Sequence, residues 1–247
     1  MRFFKRIFSP EPKLGPADLS VLKCDIHSHL IPGIDDGAQT IEDSLLMIDY
    51  FKSQGYNKLI TTPHIMSDYY KNTPEIIFSG LKKLKEAVKN AGLDIELEAA
   101  AEYYLDYHFE QKIEQKQLLT FGNNYVLFEL GFLFPPDFLN KAIFLLQTSG
   151  YKPVLAHPER YTYWYRDFNK YYELKEKGVL FQMNINSLTG YYSIDTKKIA
   201  ERMVDEAMIE LVGSDCHNMN HIQLLDECKK EKYLHKLLEK DLLNKQL

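Results

Sequence analysis

Lys23-Cys24-Asp25-Ile26-His27-Ser28-His29 is the stretch whose reading decides the architecture. Lys23–His27 reads as a short strand that ends on two histidines one residue apart. On an extended chain, residues i and i+2 point to the same side, so both imidazoles can face one ion. Near the other end of the chain, Ser214-Asp215-Cys216-His217 repeats the arrangement, with Asp215 and His217 in the same relation.

Working outward, six more apolar, β-rich runs resemble the first: Lys58–Thr62, Ile95–Ala101, Tyr125–Leu130, Pro153–His157, Val179–Asn184 and Ile209–Gly213. Amphipathic stretches separate them. In Ile41–Gln54, Ile41, Leu45, Ile48 and Phe51 fall on one helical face, and Gly55 stands where a helix would end. In Pro74–Ala91, Ile77, Leu81, Leu84 and Val88 keep the same register ahead of Gly92. Strand followed by helix, repeated, predicts a parallel sheet. Histidines or acids close most of these strands: His27 and His29, His64, Glu102, Glu129, His157, and finally Asp215 and His217. An open sheet gathers only the strands beside its switch point, whereas a closed barrel brings every C-terminal strand end to one rim. The expected fold is therefore an α/β chain closed into a single-domain, seven-stranded (β/α) barrel.

Composition narrows the function classes. Among 247 residues, 45% are hydrophobic and 26% charged, as in an ordinary soluble globular protein. No run approaches the roughly 20 apolar residues of a membrane span, and the start does not read as a secretory signal. The net charge of −5 disfavours nucleic acid as a partner. Cys24, Cys216 and Cys228 are odd in number and lack the spacing of a zinc motif, which suits a reducing compartment. The expected location is the cytoplasm. Residues 1–22, with the basic and aromatic run Arg2–Phe8, read as a flexible leader ahead of a domain at 23–247.

A lone strand histidine is more often structural than a ligand. Two such pairs with further histidines and acids on intervening strand ends are not, since carboxylates crowded at a barrel mouth repel unless a cation neutralises them. Imidazole with carboxylate and no thiolate suits Mn²⁺, Fe²⁺ or Zn²⁺. His27, His29, Asp36, His64, Glu102, Glu129, His157, Asp215 and His217 outnumber the three protein ligands that one catalytic zinc needs. Closely spaced ions suit phosphoryl displacement. Arg160, three residues after His157, is the candidate donor to phosphate oxygens, against the alternative of a surface ion pair.

These residues carry a resemblance. Asp25-Ile26-His27-Ser28-His29-Leu30-Ile31-Pro32-Gly33-Ile34-Asp35-Asp36-Gly37-Ala38 resembles the signature of the capsule-biosynthesis-type bacterial protein tyrosine phosphatases, a branch of the PHP (polymerase and histidinol phosphatase) superfamily. Thr61-Thr62-Pro63-His64, Ala101-Glu102-Tyr103, Phe128-Glu129, Ala156-His157-Pro158-Glu159-Arg160-Tyr161, Gln182-Met183-Asn184 and Gly213-Ser214-Asp215-Cys216-His217 resemble its later motifs in order. The resemblance runs from about Cys24 to Asn218. It implies a distorted seven-stranded barrel of the PHP fold and three divalent ions, commonly Mn²⁺. It further implies hydrolysis of phosphotyrosine on a protein, and a role opposing a tyrosine kinase of capsule or exopolysaccharide export. By motif position all nine residues become metal ligands, with Arg160 at the phosphate; spacing alone does not separate Asp36 from Asp35. One departure stands out: members usually carry a further arginine after Ser-Asp-x-His, and here Asn218-Met219-Asn220-His221-Ile222 follows without one.

Cysteine-based phosphatases need an arginine six positions after the nucleophile, and Leu30, Ile222 and Leu234 occupy those positions here. The aromatic cluster after Arg160, from Tyr161 through Trp164 to Tyr172, is a candidate wall for a phosphotyrosine ring or a packing surface for the next helix. Tyr161 and Trp164 are its candidate substrate contacts. Three other functions stay open: a phosphatase of a small metabolite such as histidinol phosphate, an amidohydrolase, and a non-catalytic docking subunit of an export complex. Amidohydrolases typically place a lysine where this chain has Glu129.

Overall fold

The computed structural model describes residues 14–247. The run Arg2–Phe8 lies outside the described residues. Along the chain stand β1 (Cys24–Asp25), α1 (Ile41–Ser53), β2 (Lys58–Thr61), β3 (His64–Ile65), α2 (Pro74–Asn90), β4 (Glu96–Ala99) and β5 (Glu102–Tyr104). There follow α3 (Tyr107–Glu114), β6 (Tyr125–Glu129), α4 (Leu139–Thr148), β7 (Lys152–Ala156), α5 (Asn169–Glu176) and β8 (Leu180–Asn184), then α6 (Ile194–Asp205), β9 (Leu211–Gly213), α7 (Met219–Cys228) and α8 (Lys232–Leu238). The strands pair in parallel in two runs, β1-β2-β4 and β3-β5-β6-β7-β8-β9.

The two runs are one wall with a break. Pro63, which has no N–H to donate, divides the expected strand 58–62 from His64, so β2 and β3 are two halves of one stave. Opposite it, Ala100-Ala101 divides β4 from β5. The ladder continues across the break, with Ala100 N donating to Thr61 O (3.0 Å) and Glu102 N to Pro63 O (3.2 Å). Counting each broken stave once gives seven. The seam closes where Ser28 bridges Cys216 in parallel, with Asp215 N donating to His27 O (2.8 Å) and His29 N to Cys216 O (2.9 Å). Lower on the same seam, the buried Asn244 side chain takes the place of a strand. Its Nδ2 donates to Cys24 O (3.0 Å) and Val212 O (2.8 Å), and its Oδ1 accepts from Val212 N (2.9 Å). The result is the distorted (β/α)7 barrel expected.

Local chemistry sets the helix ends. Thr40 and Asp43 form a reciprocal capping box at the start of α1, and Thr73 caps α2 with Pro74 in its first turn. Of the face expected on α1, Ile48 and Phe51 are buried, whereas Ile41 and Leu45 are only partly covered and Met47 takes the central place. On α2 the expected Ile77, Leu81, Leu84 and Val88 are all buried. Beneath the rim, Cys24, Ile26, Ile60, Ala100, Leu127, Val154, Ala156 and Leu211 form an apolar floor.

Ala17, Leu19 and Leu22 are buried, and Ala17 N donates to Lys229 O (2.7 Å), so Ala17–Leu22 pack on the barrel. Within the expected leader these residues are no loose arm, because they cover apolar surface that the barrel would otherwise expose.

Candidate metal centre

Every one of the nine expected ligands lies at the C-terminal rim of the barrel. They form four overlapping groups: His29, Asp36, His64 and His217; His27, His29 and Asp215; His27, Glu102 and His157; and His64, Glu102 and Glu129. Within each group the ligand atoms lie within 4.8 Å of one another. Glu102 stands at the middle. Its Oε2 is 3.1 Å from His27 Nε2, 3.5 Å from His29 Nε2 and 3.2 Å from His64 Nδ1, while its Oε1 is 3.1 Å from His157 Nε2.

The outer atoms of these side chains are fixed by the fold, which aims the inner ones. His27 Nδ1–H donates to Gln182 Oε1 (2.7 Å), and His29 Nδ1–H to Asp35 Oδ2 (2.8 Å). Each leaves Nε2 with its lone pair toward the centre. Gln182 Nε2 donates in turn to Asn184 Oδ1 (3.1 Å), and Asn184 Nδ2 to Asp215 Oδ2 (2.7 Å). β8 therefore supplies amides that orient two ligands from other strands. Asp35 and Asp36 take different parts. Asp35 is buried and also accepts from Gly37 N and His64 N, whereas Asp36 turns its Oδ1 to His64 Nε2 (3.4 Å) and His217 Nε2 (3.6 Å). Two glycines allow this closeness. A Cβ on Gly37 would lie 2.2 Å from His29 O, and one on Gly213 would lie 2.5 Å from His27 Cβ.

His157 (φ 34°) and Asp215 (φ 49°) are non-glycine residues in the left-handed region. Such backbone costs about 1–3 kcal/mol each and collects at functional sites. Here it turns two side chains off their strand ends and into the cluster.

The electrostatics test whether cations fit. Burial opposes protonation of His27, but Glu102 and Asp215 outweigh it and raise its pKa to about 9. His29 is likewise raised well above the ordinary histidine value: burial works against it, and Asp35, Asp215 and Glu102 prevail. Glu102 and Asp215 are held well below the carboxylate range; burial would raise both, and the surrounding histidines, His27 foremost, overcome it. Without other cations, then, these carboxylates need protons on the histidines to balance them. His27 Nε2, His29 Nε2, His64 Nδ1 and Glu102 Oε2 are buried and have no hydrogen-bond partner among the described residues. Converging orphan lone pairs of nitrogen and oxygen are a donor set for hard or borderline divalent cations. The clusters can bind metal.

Arg160 stands at the edge of this centre. Its Nη1 donates to Asp215 Oδ2 (2.9 Å), and its guanidinium packs over the rings of Phe132 (4.8 Å) and Tyr192 (4.3 Å). It is the only lysine or arginine among the described residues lining a cavity of about 630 Å³ that opens over the cluster. His221, within the stretch after Ser-Asp-x-His that lacks the further arginine, lines the same cavity. Its Nδ1–H donates to Asp215 O (3.0 Å).

The expected substrate contacts Tyr161 and Trp164 are not in that cavity. Two 3-10 turns, Pro158–Arg160 and Thr162–Trp164, roll the chain back beneath the rim. Tyr161 is fully buried, its hydroxyl donating to Ala156 O (3.1 Å) and accepting from Leu130 N (2.9 Å). Trp164 packs edge-on against Tyr161, Tyr163 and Tyr171. The aromatic lining comes instead from Tyr69, Tyr70, Phe132, Tyr191 and Tyr192. All three cysteines are buried, and burial pushes each thiol up, so none offers a thiolate nucleophile.

Known proteins agree with this geometry. Residues 23–246 match the model of the family described as capsular polysaccharide synthesis, CpsB/CapC. The tyrosine-protein phosphatase YwqE of Bacillus subtilis is 32% identical over 196 residues, covering 79% of this chain and 77% of its own. The tyrosine-protein phosphatase CpsB of Streptococcus agalactiae is 26% identical over 202 residues, covering 79% and 83%. A crystal structure from work on YwqE of Bacillus subtilis and CpsB of Streptococcus pneumoniae, described there as metal-dependent tyrosine phosphatases, superposes with a TM-score of 0.77 at 29% identity, covering 90% of this chain and 94% of that one. A barrel closed on nine converging histidines and acids, matched along almost its whole length, belongs to the CpsB/CapC family of capsular polysaccharide synthesis.

Proposed function

We propose that this chain is a metal-dependent protein tyrosine phosphatase, a phosphoric monoester hydrolase. Its physiological substrate would be a phosphotyrosine protein, a tyrosine kinase of capsular or exopolysaccharide export. One observation carries the reading: a lone guanidinium, packed over two aromatic rings, borders a cluster of nine metal-competent side chains.

In this reading His27, His29, Asp36, His64, Glu102, Glu129, His157, Asp215 and His217 hold three divalent ions, with Mn²⁺ favoured over Fe or Zn. When bound, such ions supply Lewis acidity toward phosphoryl oxygens and acidify water near neutral pH. The chain's own residues do the rest. Arg160 binds and orients the phosphate, and its donors are held in place by Phe132, Tyr192 and Asp215. The phenol ring enters the cavity lined by Tyr69, Tyr70, Phe132, Tyr191 and Tyr192. In-line displacement by water forms one P–O bond and breaks the bond to the phenolic oxygen, releasing tyrosine and inorganic phosphate. Tyrosine, with a pKa of about 10, leaves without needing a strong general acid.

The test is hydrolysis of small aryl phosphates and a phosphotyrosine peptide after chelation and again after Mn²⁺ is restored. Activity should vanish and return. Turnover indifferent to chelation overturns the reading, and turnover confined to a small metabolite such as histidinol phosphate replaces it with the metabolite phosphatase.

A further inference from the structure

Phe132 belongs to two cavities. One is the cavity over the cluster, and the other is a neighbouring cleft of about 260 Å³, whose walls include Tyr104, Leu105, Tyr107, Leu133, Phe134 and Phe138. The base of this loop is anchored, since Tyr163 Oη–H donates to Gly131 O (3.1 Å) and the Phe132 ring stacks on His157 at 5.8 Å. Its tip is bare. Leu133 is 87% exposed, and Phe134 and Tyr107 are each 71% exposed. The one charged residue among the described lining residues, Asp106, has its carboxylate engaged by His108 N, Phe109 N and Ser67 N. Scattered exposed apolar residues need no explanation, but a contiguous apolar patch marks a binding surface.

We infer that this cleft is a subsite for an apolar side chain one to three residues away from the phosphotyrosine in a protein substrate. The inference rests on the phosphatase reading and adds the substrate's local sequence to it. Continuity with the catalytic cavity identifies the occupant. A phenol ring beside Phe132 and Arg160 puts its backbone at the rim of the same loop. An extended chain advances about 3.3–3.6 Å per residue, which carries neighbouring side chains over Leu133 and Phe134. Nothing in the cleft would recognise a charged neighbour, and a leucine or phenylalanine would cover what is exposed.

Two phosphotyrosine peptides, one flanked by leucine and phenylalanine and one by glycine and serine, test this beside para-nitrophenyl phosphate, with Mn²⁺ present throughout. The apolar peptide should be preferred roughly tenfold in kcat/KM, the scale of one good apolar contact. Leu133→Asp and Phe134→Ser should erase that preference through KM and leave para-nitrophenyl phosphate hydrolysis within about twofold. Equal rates on both peptides, or variants that slow the small substrate as much as the peptide, overturn the subsite. So do variants that change the oligomeric state and leave the peptide preference intact, since the face would then join copies of this chain. If the unaltered protein hydrolyses no aryl phosphate at all, it is the phosphatase reading that fails.

Discussion

Gln182 holds no position in the metal clusters, yet it touches one ligand directly and another through Asn184. A ligand histidine whose second nitrogen is held by an acceptor presents one tautomer in one orientation, and losing that partner typically lowers metal affinity by about 10- to 100-fold. Gln182→Leu should therefore weaken Mn²⁺ binding by about that factor when the apo-protein is titrated calorimetrically, with the circular dichroism spectrum unchanged. Affinity equal to the parent would mean that the His27 ring is held by its packing alone. Asp35 is the same kind of residue on the other side of the centre, fixing His29 as Gln182 fixes His27. Gln182 and Asp35 both stand in quoted motifs, but no spacing in the sequence pairs either with its histidine. The candidate ligands other than Asp36 could be read because each sits at or just past a strand end, whereas Asp36 entered only through the resemblance. Gln182 lies 155 positions from His27, and only the closed barrel makes them neighbours.

At the scale of elements, the alternation of strand and helix was legible, and so was the buried face of α2, because local periodicity encodes both. The finer divisions were not. Pro63, which lacks a ladder donor, sets off a second short strand, β3, past the expected strand 58–62, and β5 likewise lies past the expected Ile95–Ala101. The aromatic run after Arg160 misleads for a related reason: adjacency in sequence suggests adjacency in the site, but the two 3-10 turns reverse the chain within a few residues. Tyr161 then becomes a tie between the ends of β6 and β7, through Leu130 N and Ala156 O. Tyr161→Phe leaves both backbone groups short of a partner and should cost about 1–3 kcal/mol. A denaturant midpoint lowered at constant m-value, with KM for small aryl phosphates unchanged, is the expected result. A raised KM would tie the hydroxyl to substrate binding after all.

For the whole molecule, the rim is a concentration of like charge. Asp36, Glu102, Glu129 and Asp215 share the space between the ligand histidines, and cations of either kind, protons or metal, must balance them. Binding that favours the folded state raises stability by about 2.7 kcal/mol at 100 times Kd. Mn²⁺ should therefore raise the melting temperature in scanning calorimetry by several degrees, and chelation should reverse it; a midpoint insensitive to both would show that the rim is balanced without metal. The lower seam makes a separate demand. Asn244→Ala leaves Val212 N–H, Val212 C=O and Cys24 C=O without this partner in a buried place, and roughly 2–4 kcal/mol should be lost from the unfolding free energy in urea. Activity per folded molecule should persist, since the rim is untouched. Among the described residues no helix is long and apolar enough to cross a membrane.

That seam has a consequence for how the molecule is made. Cys24 waits for a partner 220 residues further along the chain. A ribosome adds about 5–20 residues per second, so for roughly ten seconds or more the first strand emerges with one edge bare. Contacts this distant in sequence also form slowly. The barrel's final stitch comes only once Asn244 has left the exit tunnel. Before that, until Asp215 and His217 emerge, the two histidines on the first stave face a rim whose other wall does not yet exist.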